Sequence, residues 1–586
     1  MGEHFQKVRY QVMWNRLISV VEEQARTLMR VAFSTVVREA GDLSAGIFDH
    51  TGRLLAQAVT GTPGHINSMN RSVREFLKVF PAHSMRPGDV YVTNDPWRGT
   101  GHLFDFTVVT PTYHDGRLVA IFACTAHVAD IGGNGPDPRS RDVLAEGLFL
   151  PIMPLVEAGA IKSWLMNLLR ANSREPDKLE GDIYALIASN EAGGRRLTKM
   201  MREYSLDTLD ELASHILEAS DSAMRQAISA LPKGTWSHAA RIDGFVDPID
   251  LCATLTIEDD LIRVDFTGSS GESKYGVNCP LCYADAYTSF GVKCLVAPGL
   301  ANNAAVLARI VVTAPENSIV NAAYPAPVTA RALIGQMLPD VVFGCFEKAT
   351  PGRVPAEGTG ASWGLRFAAG PGVTGAHDGA SAFITHNFQS GGMGAHWLHD
   401  GMSATPFPSG VRSVAIEVTE ALTPLIFWRR ELRSDSGGAG RMRGGLGQSI
   451  EVGSREPAPF AFFPMFQRVD FPAEGRGGGE AGATGEMRLA SGAVLSPNGT
   501  QIVPGGDRLI LDMPGGGGLG APWERAPGIV ARDVANGYVS QDSALQRYLV
   551  RLDAEGNVDA GATKALRDGA KRRQGNDPQT QLGRTG

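Results

Sequence analysis

The sequence predicts an α+β protein, of mixed α/β content and more than one domain. Three observations lead there. The chain has 586 residues, more than one hydrophobic core ordinarily organises. Between Ser44 and Asp130 it carries short runs rich in β-branched and aromatic residues joined by turn signals, whereas from Ile152 to Leu231 the apolar spacing becomes helical. Its 70 glycines crowd the C-terminal half among short strand-like runs, where they predict turns and close backbone approaches more than disorder. The expected division is a hairpin-rich N-terminal domain with a helical segment at 1–230, a middle α/β region at 231–420, a glycine-rich, β-containing region at 421–570 and a mobile tail at 571–586.

Taken in order, Leu17, Val21, Ala25, Leu28, Ala32 and Val36 repeat at three- and four-residue steps, so a long amphipathic helix is expected from about Val8 to Val37. Ser44 to Asp49 and Arg53 to Val59 read as two strands joined at His50-Thr51-Gly52, with Asp42 and Asp49 flanking the first. Gly64-His65-Ile66-Asn67 opens a helix over Ser68 to Val79, whose N-terminus offers backbone donors to an anion. Asp89 to Thr93 is a further strand, closed by Asn94-Asp95-Pro96. Proline fixes a turn there that aims Asp95 towards the next stretch, an Asx-turn being the alternative role for that carboxylate.

The next stretch is the chemically densest, YVTNDPWRGTGHLFDFTVVTPTYHDGRLVAIFACTAHVAD, Tyr91 to Asp130. LFDFTVVT and LVAIFACTA read as strands about Asp115-Gly116, a two-residue turn in which both positions can take φ > 0. Counting back from that turn sets His114 against Arg117 and His127 against Phe104, with His102 diagonal to His127. Asp105 then falls on the other face unless pairing starts after it or a bulge intervenes, and Gly99 and Gly101 permit an irregular approach. Two imidazoles and a carboxylate, His102, His127 and Asp105, form a common donor set for a catalytic divalent ion with open positions. The alternative is a hairpin whose His and Asp are only hydrogen-bonded. Asp95, His65 and Asp130 are the candidates to take a proton or orient a ligand. Gly132 to Pro136 reads as a loop over the site.

Further on, Leu231-Pro232-Lys233-Gly234 marks a boundary, followed by strands at Leu251 to Ile257 and Leu261 to Phe266 and then by helices alternating with short apolar runs to Glu347. His215 reads as a helix-face residue. His386-Asn387, with His396, His399 and Asp400 beyond a glycine run, form a second polar cluster, read as the wall of a pocket or interface because it lacks the helical context of an HExxH motif. Arg441 and Arg443 stand beside glycine turns, either holding an anion or simply solvated. Arg532 to Val550 suggests a closing helix and strand.

Composition narrows the classes. The chain is 43% hydrophobic and 20% charged with a net charge of -7, which speaks against nonspecific nucleic-acid binding. MGEHFQKVRY carries no apolar leader core and no apolar run is long enough for a bilayer, so a cytoplasmic location without a membrane partner is expected. Six cysteines give no disulfide framework, and Cys279-Pro-Leu-Cys282 is a lone pair that reads as core thiols. No GxxxxGK[ST] phosphate loop is present.

Five segments, EAGDLSAGIFDHTGRLLAQ, GHINSM, NDPWRGTGHLFDF, DSGGAGRMRGGLG and VANGYVSQDSALQRYLV, in this order along nearly the whole chain, resemble the hydantoinase B/oxoprolinase family. Ile66 and Asn67 depart from its His-Leu-Gly-Ser-Met type motif. The resemblance implies a small-molecule enzyme subunit that works with an ATP-binding hydantoinase A-type chain, as in N-methylhydantoinases, oxoprolinases and caprolactamases. It also implies kinship to the metal-bearing subunits of acetone and acetophenone carboxylases. In the acetone carboxylase branch the ligands run His-x-x-Asp with a second His after the hairpin. GHLFD and TAHVAD match this, giving His102, Asp105 and His127 the ligand role, with zinc or manganese as the ion. The implied reaction is hydrolysis of a cyclic amide (hydantoin, oxoproline or larger lactam) phosphorylated by ATP and magnesium on the partner, in a hetero-oligomer with two or more copies of each subunit. The chain's length favours this branch over the longer carboxylase subunits. Ketone carboxylation and a noncatalytic scaffold are the alternatives.

Overall fold

In the computed structural model, which describes residues 3–59, 61–375 and 380–575, the first helix spans Glu3–Val31 and buries Met13, Leu17, Val21, Ala25 and Leu28 along one stripe. It stops short of the expected Val37. The amides of Phe33 and Ser34 donate to the buried Asp182 carboxylate at 2.8 and 3.0 Å instead of continuing the helical ladder, and a separate short helix, Thr35–Arg38, follows.

β1 (Leu43–Phe48) and β2 (Leu54–Gln57) form the first predicted hairpin, its turn held by Asp49, which accepts from the Thr51 and Arg53 amides, each at 2.9 Å. β3 (Val90–Thr93), β4 (Asp105–His114), β5 (Arg117–His127), β6 (Met153–Glu157) and β7 (Ala160–Ile161) complete an antiparallel sheet ordered β2-β1-β5-β4-β3-β6-β7. β6 and β7 correct the helical reading of residues just after Ile152. Ala158 and Gly159 both adopt positive φ there, 47° and 83°, closing a tight hairpin that extends the sheet beyond β3. The first helix packs against Pro176–Glu203, and both lie on the sheet, while Pro63–Val79 packs on β1, β4 and β5 and against Leu281–Val296.

A second core begins near the predicted boundary at Leu231. β8 (Gly234–Ile242), β9 (Ile249–Ile257), β10 (Ile262–Asp265) and β11 (Ile310–Thr313) form a sheet ordered β11-β10-β9-β8, in which β10 and β11 are parallel because the chain between them crosses over through Leu281–Val296. Every second residue of β9 is buried, and the helix Leu338–Ala349 packs on β8 and β9. Met224 and Ile228, at the end of the helix Asp210–Ser229, join this core from across the boundary.

The third core is a pair of four-stranded sheets sharing residues from Trp363 to Met513. Its strands are β12 (Trp363–Ala369), β13 (Phe383–Gln389), β14 (Leu425–Leu432), β15 (Gln448–Ser454), β16 (Phe460–Phe462), β17 (Glu486–Leu489), β18 (Gln501–Val503) and β19 (Arg508–Asp512), ordered β13-β12-β16-β18 and β14-β15-β19-β17. The first sheet draws strands from both sides of residue 420, and β12 forms where composition alone marks only a glycine-rich stretch. Along β12, Trp363, Leu365 and Phe367 enter the core, which turns Gly364 and Arg366 to the opposite face. The glycine runs pack main chain on main chain, as expected: a Cβ on Gly392 would lie 1.8 Å from the Gly445 carbonyl oxygen. Arg532 to Val550 forms two helices, Pro527–Ala535 and Gln541–Gln546, and no closing strand; Ser540 caps the second by accepting from the Ser543 amide at 3.1 Å. A last helix, Ala560–Gly575, covers the start of the predicted mobile tail, whose remainder, 576–586, lies outside the described residues. Among the described residues no helix is long and apolar enough to cross a membrane.

Asp182→Ala leaves the Phe33 amide and the buried Ser34 amide without an acceptor and is expected to cost about 1–3 kcal/mol. The check is the first transition in a thermal unfolding scan, which the substitution should bring to lower temperature while far-UV dichroism stays unchanged.

Candidate metal centre

The β4/β5 hairpin turns at Asp115 and Gly116, with φ of 46° and 78°, and sets His114 against Arg117 as the spacing predicts. The register then shifts. Thr112 pairs with Ala120 and Tyr113 with Leu118, so Val119 is a bulge residue. His127 consequently pairs with Asp105, not with Phe104 as an unbroken count requires. Pairing begins at Asp105 itself. His102 lies before the strand in a tight turn, where the Asp105 amide donates to the His102 carbonyl at 3.2 Å. That turn needs Gly101, whose φ is 83° and whose Cβ, if present, would fall 2.7 Å from the Tyr283 side chain. The rings of His102 and His127 stack with centroids 5.2 Å apart.

Asp105 is the hub. Its Oδ1 lies 3.1 Å from His127 Nδ1 and 3.6 Å from His102 Nδ1, the second too long for a hydrogen bond. Its Oδ2 accepts from Thr100 Oγ1 at 3.2 Å and from the Arg331 guanidinium, and lies 3.0 Å from His65 Nε2. Burial alone would raise this carboxyl. Arg331, then His65, and the nearby rings of His102 and His127 outweigh burial and hold it well below the usual carboxylate range. Burial, followed by the Arg331 charge, presses His102 down to about 3, which leaves a neutral imidazole. Both His102 ring nitrogens are buried without a hydrogen-bond partner. This observation decides the fit: two imidazoles and one ionised carboxylate, with donor atoms all within 4.8 Å of one another, suit a divalent ion, and no described residue offers His102 a hydrogen bond.

His65, in the first turn of Pro63–Val79, spans two carboxylates, with Nδ1 3.6 Å from Asp42 Oδ1. Burial disfavours its imidazolium, but Asp105 and Asp42 together outweigh burial and raise its pKa. Thr62 Oγ1 anchors Asp42 at 2.9 Å. Arg331 comes from the second core. Its guanidinium stacks over the Tyr283 ring at 4.3 Å, and Glu146 holds the preceding turn by accepting from the Val328 and Thr329 amides at 2.7 and 3.0 Å. No local pattern marks Arg331, which stands 226 residues from its partner.

His102 and His127 face an inner chamber of about 140 Å³ lined also by His65, Asp42, Arg331, Phe388 and Phe463, with Asp105 buried behind them. An outer vestibule of about 310 Å³ adjoins it, and His127, Pro136, Arg366 and His386 line both. Arg366 and His386 are cross-strand partners on β12 and β13. His386 is thus a pocket wall, in agreement with its place in the second polar cluster. Arg366 belongs to no motif, although a lone charge alternating with Trp363, Leu365 and Phe367 is the kind of signal that marks it.

The other sequence candidates are placed as follows. Asp130 lines the vestibule, where it pairs with Arg174 at 2.7 Å and accepts from the Gly132 amide at 3.2 Å, anchoring the loop that brings Pro136 to the chamber. Asp95 is not brought to the chamber. Its carboxylate accepts from the Trp97 amide at 2.9 Å and the Arg98 amide at 3.4 Å, an Asx-turn. Asp400 pairs with Arg525 and accepts from the Arg443 amide, while His396 and His399 stack on each other away from the chamber. Arg443 is buried beside Asp533, Arg441 lies against Gly520, and His215 stacks on Tyr10. Cys279 and Cys282 are buried, and burial pushes both thiols up, Cys282 to about 12, as inert core thiols require.

The family model for Hydantoinase B/oxoprolinase matches residues 6–522. Among similar proteins, the beta chain of the caprolactamase of Pseudomonas jessenii is 29% identical over 95% of this chain and 98% of its own length. A putative D-/L-hydantoinase B-type chain of Pseudomonas sp. is 26% identical over 96% and 98%. The crystal structure of the ATP-dependent caprolactamase from Pseudomonas jessenii superposes with a TM-score of 0.86 at 26% identity, covering 96% of this chain and 99% of that one.

Two substitutions probe the electrostatics. Arg331→Met leaves Asp105 buried without its main counter-charge and is expected to cost about 3–5 kcal/mol in chelator-treated protein, read from denaturant midpoints. Glu146, raised to about 8 chiefly by burial, takes up a proton on folding between its unfolded value and pH 8. Stability therefore falls as pH rises through that window, by at most about 1.4 kcal/mol per unit. Glu146→Gln should flatten this slope, and unfolding midpoints measured from pH 5 to pH 9 would show it.

Proposed function

Because the chain belongs to the Hydantoinase B/oxoprolinase family, we propose that it is the subunit of an ATP-dependent amidohydrolase that opens a small cyclic amide of hydantoin, oxoproline or lactam type. The observation that carries this reading is His102, buried with both ring nitrogens unpaired, grouped with Asp105 and His127 at the wall of a chamber of about 140 Å³. Relatives named as an ATP-dependent caprolactamase and as one component of a hydantoinase support the reaction class, and their designation as single subunits of larger enzymes supports a partner chain. That partner is an ATP-binding, hydantoinase A-type subunit carrying ATP with magnesium, assembled with this chain in two or more copies of each.

An amide resists hydrolysis because its nitrogen donates into the carbonyl. Phosphorylation of the carbonyl oxygen on the partner, with ADP released, converts the amide into an imidate-like species whose carbon is open to attack by water and whose phosphate can then leave. His102, Asp105 and His127 would hold a zinc or manganese ion, which supplies Lewis acidity and lowers the pKa of water. Arg331 and Thr100 occupy Asp105 Oδ2 and leave Oδ1 turned to the two ligand histidines. His65, between Asp105 and Asp42, is placed to carry a proton at Nδ1 between the chamber and Asp42, and is our general acid-base. Phe388 and Phe463 make the chamber wall apolar and limit water. Asp130 and Asp95 act at one remove, Asp130 by anchoring the loop at Pro136 and Asp95 by shaping the turn before the triad.

The test is ATP turnover by this chain purified with its ATP-binding partner, against hydantoins, oxoproline and lactams, with and without bicarbonate. Ring-opened acid formed without bicarbonate is the expected result. His102→Ala and His127→Ala should each lose the divalent ion and at least ~100-fold in turnover. A strict bicarbonate requirement with a ketone substrate would make the chain a carboxylase subunit instead, and full activity in ion-free variants would make it a scaffold.

A further inference from the structure

Three guanidinium groups line the vestibule, and two are neutralised. Arg139 is held by Asp137 in a two-point contact at 2.9 and 2.7 Å, and Arg174 by Asp130 at 2.7 Å. Arg366 is different. Among the described residues its guanidinium makes no ion pair or hydrogen bond; it lies over the face of Phe463, 5.1 Å away, and beside Gly135, and it feels Asp130 and Asp137 only through space. It stands where vestibule and inner chamber meet, on the face of β12 turned from the third core, directly across from His386. Burial pushes the Arg366 pKa down, with Arg174 adding to it and the more distant charges of Asp130 and Asp137 offsetting it only in part, so a guanidinium without a bonded partner here carries an energetic cost.

A planar guanidinium with free donors matches the oxygens of a phosphoryl or carboxylate group, and in a partly desolvated site such charge-assisted bonds are at their strongest. We propose that Arg366, with His386 beside it, is the oxyanion-binding residue that seats the phosphoryl group of the activated substrate next to the His102, Asp105 and His127 centre. The identity of the anion rests on the amidohydrolase reading; the existence of an anion seat does not.

The experiment compares wild type, Arg366→Gln and Arg366→Lys, each in complex with the partner whose nucleotide site is filled with a non-hydrolysable ATP analogue. Inorganic phosphate and acetate are titrated calorimetrically, and Arg263→Gln, an exposed position on β10, serves as the control. Phosphate affinity should fall roughly tenfold or more in Arg366→Gln, recover in part in Arg366→Lys and stay unchanged in Arg263→Gln. During turnover, Arg366→Gln should consume more ATP per ring opened than wild type. Loss of acetate binding with phosphate binding intact would overturn the phosphoryl assignment, and unchanged affinity for both anions would overturn the seat altogether. If wild type opens none of the cyclic amides while Arg366→Gln still loses phosphate, the amidohydrolase reading fails and the anion seat stands.

Discussion

A buried carboxylate answered on both of its oxygens is the constraint on which the site depends. Asp105 is 1% exposed, and a charge there is tolerable only if its surroundings replace the lost water. They do so asymmetrically. Arg331, His65 and Thr100 converge on Oδ2, while His127 and His102 gather at Oδ1. One oxygen thus serves the fold and the other is left to the candidate ion. Arg331 outweighs burial to hold the Asp105 pKa low, while at His102 burial comes first and the same Arg331 charge adds to it, so both disfavour an imidazolium there.

The chamber is a junction between units. Its floor is the open end of the β4/β5 hairpin, one side comes from the second core through Arg331 and Tyr283, and the far wall is the outward face of β12 and β13. Alternation along β12 explains how one short strand serves two purposes, since the residues that build the third core leave their neighbours to line the cavity. Main-chain bonds also stitch the walls together, with the Arg412 amide donating to the Ala40 carbonyl at 2.8 Å and the Gly410 amide to Gly61. A cavity made in this way keeps its polar groups fixed by three separate packings.

How much of this is legible in the sequence follows the distance over which each interaction acts. His102, Asp105 and His127 can be read because they cluster around one hairpin with a clear turn signal, and His386 because it sits in a dense polar run. The pairing of His127 with Asp105 cannot, because nothing in LVAIFACTA marks Val119 as a bulge and one extra residue moves every partner by one. The early end of the first helix escapes for a similar reason: its periodicity continues to Val36, but Asp182, far along the chain, captures the Phe33 and Ser34 amides. Arg331 is hidden because its meaning lies wholly in tertiary neighbours, and Arg366 is marked only by its alternation with the apolar residues of β12. Asp95 is the converse, a local Asx-turn that satisfies its carboxylate before any distant partner can.

The 226 residues that separate Asp105 from Arg331 also order events in time. On a ribosome adding about 5–20 residues per second, the hairpin and its three donors precede the guanidinium by roughly ten to forty-five seconds. During that interval the nascent carboxylate has only histidines and solvent to answer it, and Tyr283 is still unmade for much of it. Any ion reaching the newborn chain therefore meets these donors before Arg331 and Tyr283 close over Asp105, whereas in the finished protein it meets them only at the wall of the inner chamber.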